Sequence, residues 1–169
     1  WFGLLKLLEL IFLGFYTAYN FKKLRFNTVL LLFSMGIILE SFLAIFQYFN
    51  QGSIGGIFYW FGERTFNAQT PGIANASVNG ELILRTYATF SPPNVLAGYL
   101  LIGMALILGR IKNHESRIRK GIFIGSLLIG SATLILTMSR VAIVLWFIIV
   151  GFQGITYVIK RSKNISSLI

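Results

Sequence analysis

The chain contains no cysteine and no aspartate, and its only histidine is His114. Without cysteine it can form neither a disulfide nor a thiolate metal site. Without aspartate it lacks the paired-aspartate motif by which many sugar transferases hold a divalent metal. His114 lies among lysines and arginines, where a solvated loop residue is the expected role. The sequence therefore predicts no metal site and no cofactor.

Charged residues are also scarce, at 12% of the chain against 56% apolar residues. A soluble domain carries about twice that charged fraction. The apolar residues form runs of about 18 or more, which is long enough to cross a bilayer. Such runs cover residues 1–19, 28–49, 93–111, 121–138 and 141–159. The sequence predicts an all-α, polytopic transmembrane bundle of about five spans, forming one membrane domain over residues 1–169.

The basic residues account for the net charge of +10, and they lie mainly in alternate connections between spans. Short loops rich in lysine and arginine stay on the cytoplasmic side of a membrane. The charge is therefore interpreted as a topology signal, and nucleic acid is not expected as a partner. Three clusters carry this signal: Lys22, Lys23 and Arg25; Arg110, Lys112, Arg117, Arg119 and Lys120; and Lys160, Arg161 and Lys163.

The chain opens on Trp1 within an apolar run. It has no basic leader and no small-residue cleavage site, so a signal peptide fits poorly. We interpret residues 1–19 as the first span and the chain as an internal fragment of a larger membrane protein.

Residues 50–92 form the one long polar connection, which the charge pattern predicts on the outer side. Within it, residues 53–62 are too short to span and rich in aromatics, which predicts an interfacial or re-entrant segment. Asn79-Gly80 between short apolar stretches predicts a β-hairpin. In the spans, the pairs Gly121/Gly125 and Ser126/Gly130 have the spacing of close helix packing.

Two arginines stand at the predicted outer boundary, where topology does not require them. Arg140 follows Ser139, a good N-cap, so it opens the last helix with a charge that opposes the helix dipole. Arg85 precedes Ser91-Pro92-Pro93-Asn94, which predicts another helix start with Ser91 as its cap. Helix N-termini and arginine both bind phosphate well. The pattern predicts a metal-free pyrophosphate site, and the alternative for Arg140 is a side chain that reaches lipid headgroups.

Two segments resemble the O-antigen ligase and polymerase family of bacteria. They are residues 85–100, RTYATFSPPNVLAGYL, and residues 136–140, LTMSR, where the family has a Ser-Arg pair opening a helix. Residues 69–74, QTPGIA, are similar to many members. The resemblance covers most of the chain from Asn50 onward, with both motifs in the family's order.

The resemblance implies a multi-pass glycosyltransferase of the bacterial inner membrane. Its donor would be an undecaprenyl-pyrophosphate-linked glycan, and its acceptor a glycolipid, a glycan or a protein. Arg85 and Arg140 would bind the donor pyrophosphate, and Asn94 would add a polar contact. Pro93 stands where many relatives have histidine. The family's catalytic histidine lies in a later loop, so the base is expected C-terminal to Ile169.

Other functions stay open at the level of sequence. A transporter or channel subunit would use Glu40, in the middle of the second span, as a proton relay, and it predicts helices broken at mid-membrane. A glycan polymerase of the same family would share the donor site. A non-catalytic membrane scaffold leaves the two outer arginines unexplained. Glu63 and Glu81 are the outer carboxylates, and neither is expected to act as the base.

Overall fold

The computed structural model describes residues 2–20, 25–111 and 116–166, without the side chains of residues 2, 6, 157 and 160–166. Lys22, Lys23, Lys112 and His114, and the side chains of Lys160, Arg161 and Lys163, lie outside the described residues. Six helices and two strands follow in the order α1 (Phe2–Asn20), α2 (Phe26–Asn50), α3 (Ile57–Trp60), β1 (Asn75–Val78), β2 (Glu81–Leu84), α4 (Pro93–Arg110), α5 (Arg117–Leu136) and α6 (Arg140–Ser166).

Three of these helices, α2, α4 and α5, are long and apolar enough to cross a membrane. They match the predicted spans at 28–49, 93–111 and 121–138. α5 begins four residues earlier than predicted, because the basic residues before Gly121 are helical as well. The chain is therefore mostly helical, as predicted.

The predicted spans at 1–19 and 141–159 also fall within helices, α1 and α6. Neither belongs to the set of membrane-length apolar helices in the part of the chain that is described, where the apolar stretch of α6 covers only Arg140–Thr156. The first and fifth spans therefore stay predictions.

Helices α2, α4 and α5 pack against one another, and α6 packs against α4 and α5. Glycine allows the close approaches. A Cβ on Gly130 of α5 would lie 2.8 Å from the Met104 sulfur and 2.9 Å from Ile37 Cγ2, and one on Gly103 of α4 would lie 2.9 Å from Ile37 Cδ1. Ile37 of α2 is thus clamped between two glycines of its neighbours, at the centre of the apolar core.

The packing pairs predicted from small residues are half right. Ser126 and Gly130 are both buried in the bundle. A Cβ on Gly121 or Gly125 would meet nothing within 4 Å, so that pair makes no close helix contact among the described residues.

The long connection after α2 forms a small folded loop. β1 and β2 pair antiparallel with Val78 opposite Glu81, as the Asn-Gly signal predicted. Asn79 and Gly80 both have positive φ, at 53° and 89°, as a two-residue hairpin turn requires. A second small core of Phe66, Leu84 and Tyr87 lies under the hairpin.

The bundle has two chemically different ends. The loop of residues 51–92 and the N-termini of α4 and α6 lie at one, here called the loop end. At the other, the Arg110 guanidinium lies 4.8 Å from the ring centre of Phe26 and so joins the end of α4 to the start of α2. The basic first turn of α5 lies at this end too, since α5 runs antiparallel to α4.

The glycine contacts predict different effects for one substitution at two places in α5. Gly130→Ala should lower the melting temperature in detergent, because its methyl group overlaps Ile37 and Met104 and overpacking costs about 1–3 kcal/mol. Gly125→Ala should leave the melting temperature unchanged or raise it, because alanine favours helix and the space is open. Equal effects at both positions would contradict the described packing.

Candidate functional site

The three residues predicted to bind pyrophosphate lie together at the loop end. Arg85, Asn94 and Arg140 line one cleft of about 550 Å³ between the start of α4 and the start of α6. They come from the loop, from α4 and from α6, and up to 55 residues separate them along the chain. Folding therefore brings together three positions that are far apart in the sequence.

Arg85 joins three elements through its guanidinium. Its Nε donates to the Thr137 carbonyl, 2.8 Å away, at the end of α5, and its Nη2 donates to Asn94 Oδ1, 2.7 Å away, in the first turn of α4. Arginine has five N–H donors. Two are thus used, and the others have no acceptor among the described residues. The side chain is fixed in place while keeping donors for a ligand.

Arg140 opens α6 immediately after the tight turn from α5. Met138 takes the left-handed conformation with φ 52°, and the Ser139 carbonyl accepts the Ile143 N–H at 3.0 Å, which puts Ser139 at the N-cap position as predicted. The Arg140 side chain is exposed. It has neither an ion pair nor a hydrogen bond with any residue of the described ranges.

The start of α4 differs from the prediction in one detail. The cap residue is Pro92, with extended backbone, and Ser91 precedes it. No side chain caps this helix, so Ser91 is not the cap. Pro93 occupies the first helical position, where its missing N–H costs nothing. Asn94 follows at the second position and lends its side chain to Arg85 rather than to the backbone.

The cleft is cationic at its mouth and apolar along its wall. No carboxylate of the described residues lines it, and two helix N-termini with two guanidinium groups give it a positive potential. Its wall continues along Gly98 and Leu101 of α4 and Ala142 and Leu145 of α6. From Asn94 to Leu101 is roughly 10 Å along the helix. This shape suits a ligand with an anionic head and an apolar tail.

The segment that carries Arg85 is held by side chains of α2 and by the residue that ends α2. Gln51 Oε1 accepts the Leu84 N–H at 2.8 Å, and the Glu40 carboxylate accepts the N–H and the hydroxyl of Thr89 at 3.1 and 2.8 Å. Glu40 lies within α2, and Gln51 is the left-handed residue that ends the helix. Gln47 lies seven residues after Glu40, on the same face of α2, and makes a third set of contacts with the segment.

Gln47 is completely buried, and its amide uses all of its hydrogen-bonding capacity. Its oxygen accepts the N–H groups of Tyr87 and Ala88 at 3.2 and 2.7 Å. Its nitrogen donates to the Ala88 carbonyl at 3.1 Å and to Glu63 Oε1 at 2.8 Å. Two donors and two lone pairs are the complete inventory of a primary amide. Gln47 is not among the residues predicted from sequence, although a lone amide within an apolar run is a visible signal.

The structure places the three glutamates named in the sequence analysis, Glu40, Glu63 and Glu81, in different environments. Glu63 is buried and accepts hydrogen bonds from Gln47, Ile54 and Gly55, which makes it a structural group of the loop. Glu40 accepts two hydrogen bonds from Thr89. Glu81 is exposed beside the hairpin turn. Over the part of the chain described, no three histidine, cysteine or acidic residues gather to form a metal site.

Comparison of the chain with protein-family models, with curated proteins and with solved structures finds no match. The cleft and the residues that build it are therefore the observations that bear on function.

The Gln47 network predicts a large effect on the loop. Gln47→Leu should destabilise the protein by about 3 kcal/mol or more, because three backbone groups of Tyr87 and Ala88 lose their partner and each costs about 1–3 kcal/mol. Amide hydrogen exchange of residues 84–89 should accelerate. Gln153→Leu in α6 is the matched control, since no hydrogen bond of its side chain occurs within the described ranges. Equal stability of the two variants would refute the network's importance.

Proposed function

We propose that this chain is part of a membrane glycosyltransferase of the O-antigen ligase type. It transfers a glycan from an undecaprenyl-pyrophosphate carrier to an acceptor hydroxyl at the periplasmic face of the bacterial inner membrane. The observation that carries the proposal is the shared cleft of Arg85, Asn94 and Arg140 between two helix N-termini. A polymerase of the same family would use this donor site with a growing glycan as its acceptor.

The chemistry follows from the donor. The acceptor oxygen attacks the anomeric carbon, the bond from that carbon to the phosphate oxygen breaks, and its electron pair stays on the departing pyrophosphate. The hydroxyl proton passes to a base, which we assign to a segment C-terminal to Ile169. Arg85 and Arg140 stabilise the charge that develops on the leaving group, and preorganised contacts of this kind are worth about 3 kcal/mol each.

The apolar wall of the cleft supports a lipid-linked donor over a soluble one. A polyprenyl chain leaving the pyrophosphate would follow Leu101 and Leu145 toward the membrane interior. Helices α2 and α4 run unbroken through their lengths, which does not favour the transporter hypothesis with its broken helices at mid-membrane.

The arginine contacts predict a specific loss of transfer. In the intact protein, Arg85→Ala and Arg140→Ala should each lower glycan transfer about 100-fold at unchanged expression. The corresponding lysine variants should recover activity only in part, because lysine lacks the bidentate fork. The control is Arg64→Ala, since Arg64 is an exposed arginine of the same loop that does not line the cleft. Transfer equal to wild type in both cleft variants would overturn the proposal.

Asn94 permits a test that separates charge from folding. Asn94→Asp puts a carboxylate at the second position of α4, where the helix dipole favours it, so the protein should fold normally. The same carboxylate neutralises Arg85 and repels phosphate. Inhibition of transfer by inorganic pyrophosphate should therefore weaken more in Asn94→Asp than in Asn94→Ala. Equal inhibition of the two variants would show that the cleft does not bind an anion.

A further inference from the structure

The loop exposes its large apolar side chains mainly in one place, residues 57–61, here called the aromatic segment. Ile57, Tyr59, Trp60 and Phe61 are all exposed, with Trp60 at 86%. Tyr59 and Trp60 pack edge to face with ring centres 6.4 Å apart. The rest of the loop is mostly polar at its surface, with Leu82 of the hairpin as the largest exception. These side chains are therefore left uncovered by the described part of the chain.

Hydrogen bonds fix the aromatic segment beside the C-terminal end of α2. Glu63 follows the segment directly, and its carboxylate accepts hydrogen bonds from the Gln47 amide of α2 at 2.8 Å and from the Gly55 N–H at 2.7 Å. The residues before and after the segment are thus joined by one carboxylate. The Glu63 N–H in turn donates to the Phe58 carbonyl at 3.0 Å, and the Phe58 ring packs against the main core. Gln47 lies three residues before the end of α2, roughly 4.5 Å below it.

The aromatic segment therefore lies level with the C-terminal end of α2, where a helix long enough to cross a membrane would leave the bilayer. The exposed rings of Phe46 and Phe49 on the last turns of α2 lie at the same level. Residues 53–62 carry no charge, and tyrosine and tryptophan are the residues that concentrate at the boundary between headgroups and acyl chains. The first charges beyond the segment are the buried, hydrogen-bonded Glu63 and the exposed Arg64.

The alternative of a re-entrant segment does not fit this geometry. α3 is a single turn of four residues, about 6 Å long, and glycines with positive φ lie on both sides of it at Gly56 and Gly62. A segment of this length returns to its starting level without descending. Its own hydrogen bonds, from Phe61 and Gly62 back to Phe58 and Tyr59, close the turn.

We propose that the aromatic segment is a lipid-binding surface that lies flat in the interfacial layer of the outer leaflet. Trp60 and Tyr59 sit among the headgroups with their polar edges toward water, while Ile57 and Phe61 reach the upper acyl chains. The partner is the lipid surface itself, and its contact continues the lipid-facing side of α2 outward onto the loop. This surface is separate from the cleft and does not depend on the proposed transfer reaction.

The experiment is a depth measurement with nitroxide labels, and it uses the intact protein in phosphatidylcholine vesicles. Residues 1–169 contain no cysteine, so Phe61→Cys and Leu82→Cys each carry one label in this part of the protein. The two side chains are matched in exposure, at 71% and 70%. The label at position 61 should collide more often with oxygen, which dissolves in lipid, and the label at position 82 with a water-soluble nickel chelate.

Two results would overturn the proposal. Preference for the nickel chelate at position 61 would place the segment in water. Low collision with both reagents and an immobile label there would mean that another protein surface covers it. Ile57→Cys is a second reporter on the same segment if Phe61→Cys does not fold, and it should give the oxygen-favoured result.

Discussion

A buried glutamine in an apolar helix controls the geometry of the whole loop end. An unpartnered amide is costly in such surroundings, so the Gln47 side chain requires four partners at defined positions. Those partners come from residues 87–88 and from Glu63, which lie on opposite sides of the hairpin in sequence. One side chain thus fixes the loop to α2 at two points, and Arg85 lies two residues from one of them.

The cleft holds two arginine side chains in electrostatically unfavourable surroundings. A cation at a helix N-terminus is destabilising, and Arg140 stands there without a counter-charge in the described ranges. Arg85 has two polar partners, and neither they nor any other described residue brings a carboxylate to it. Both costs are offset if a doubly charged ligand fills the cleft. The apolar wall beside the arginines would contact an apolar tail on the same ligand, so charge and shape both suit an anionic lipid.

Much of this architecture could be predicted from sequence, for physical reasons that can be named. The length of the apolar runs predicted α2, α4 and α5, and the Asn79-Gly80 pair predicted the hairpin. Positive charge at the predicted outer boundary singled out Arg85 and Arg140, which line one cleft, and their role as a binding site stays a prediction. Local signals of this kind need no knowledge of contacts. Gln47 and Glu63 could not be assigned because their roles exist only in long-range hydrogen bonds. The packing of Gly130 and the openness of Gly125 likewise depend on which helix face meets a neighbour.

The central claim is that the cleft between α4 and α6 binds the pyrophosphate of a lipid-linked donor. A structure of the intact protein with undecaprenyl pyrophosphate bound tests it most directly. The account predicts both phosphorus atoms between Arg85 and Arg140, with the isoprenoid chain passing Leu101 and Leu145. Phosphates held at the basic end near Arg110, or an acyl chain in the cleft with the pyrophosphate elsewhere, would contradict it.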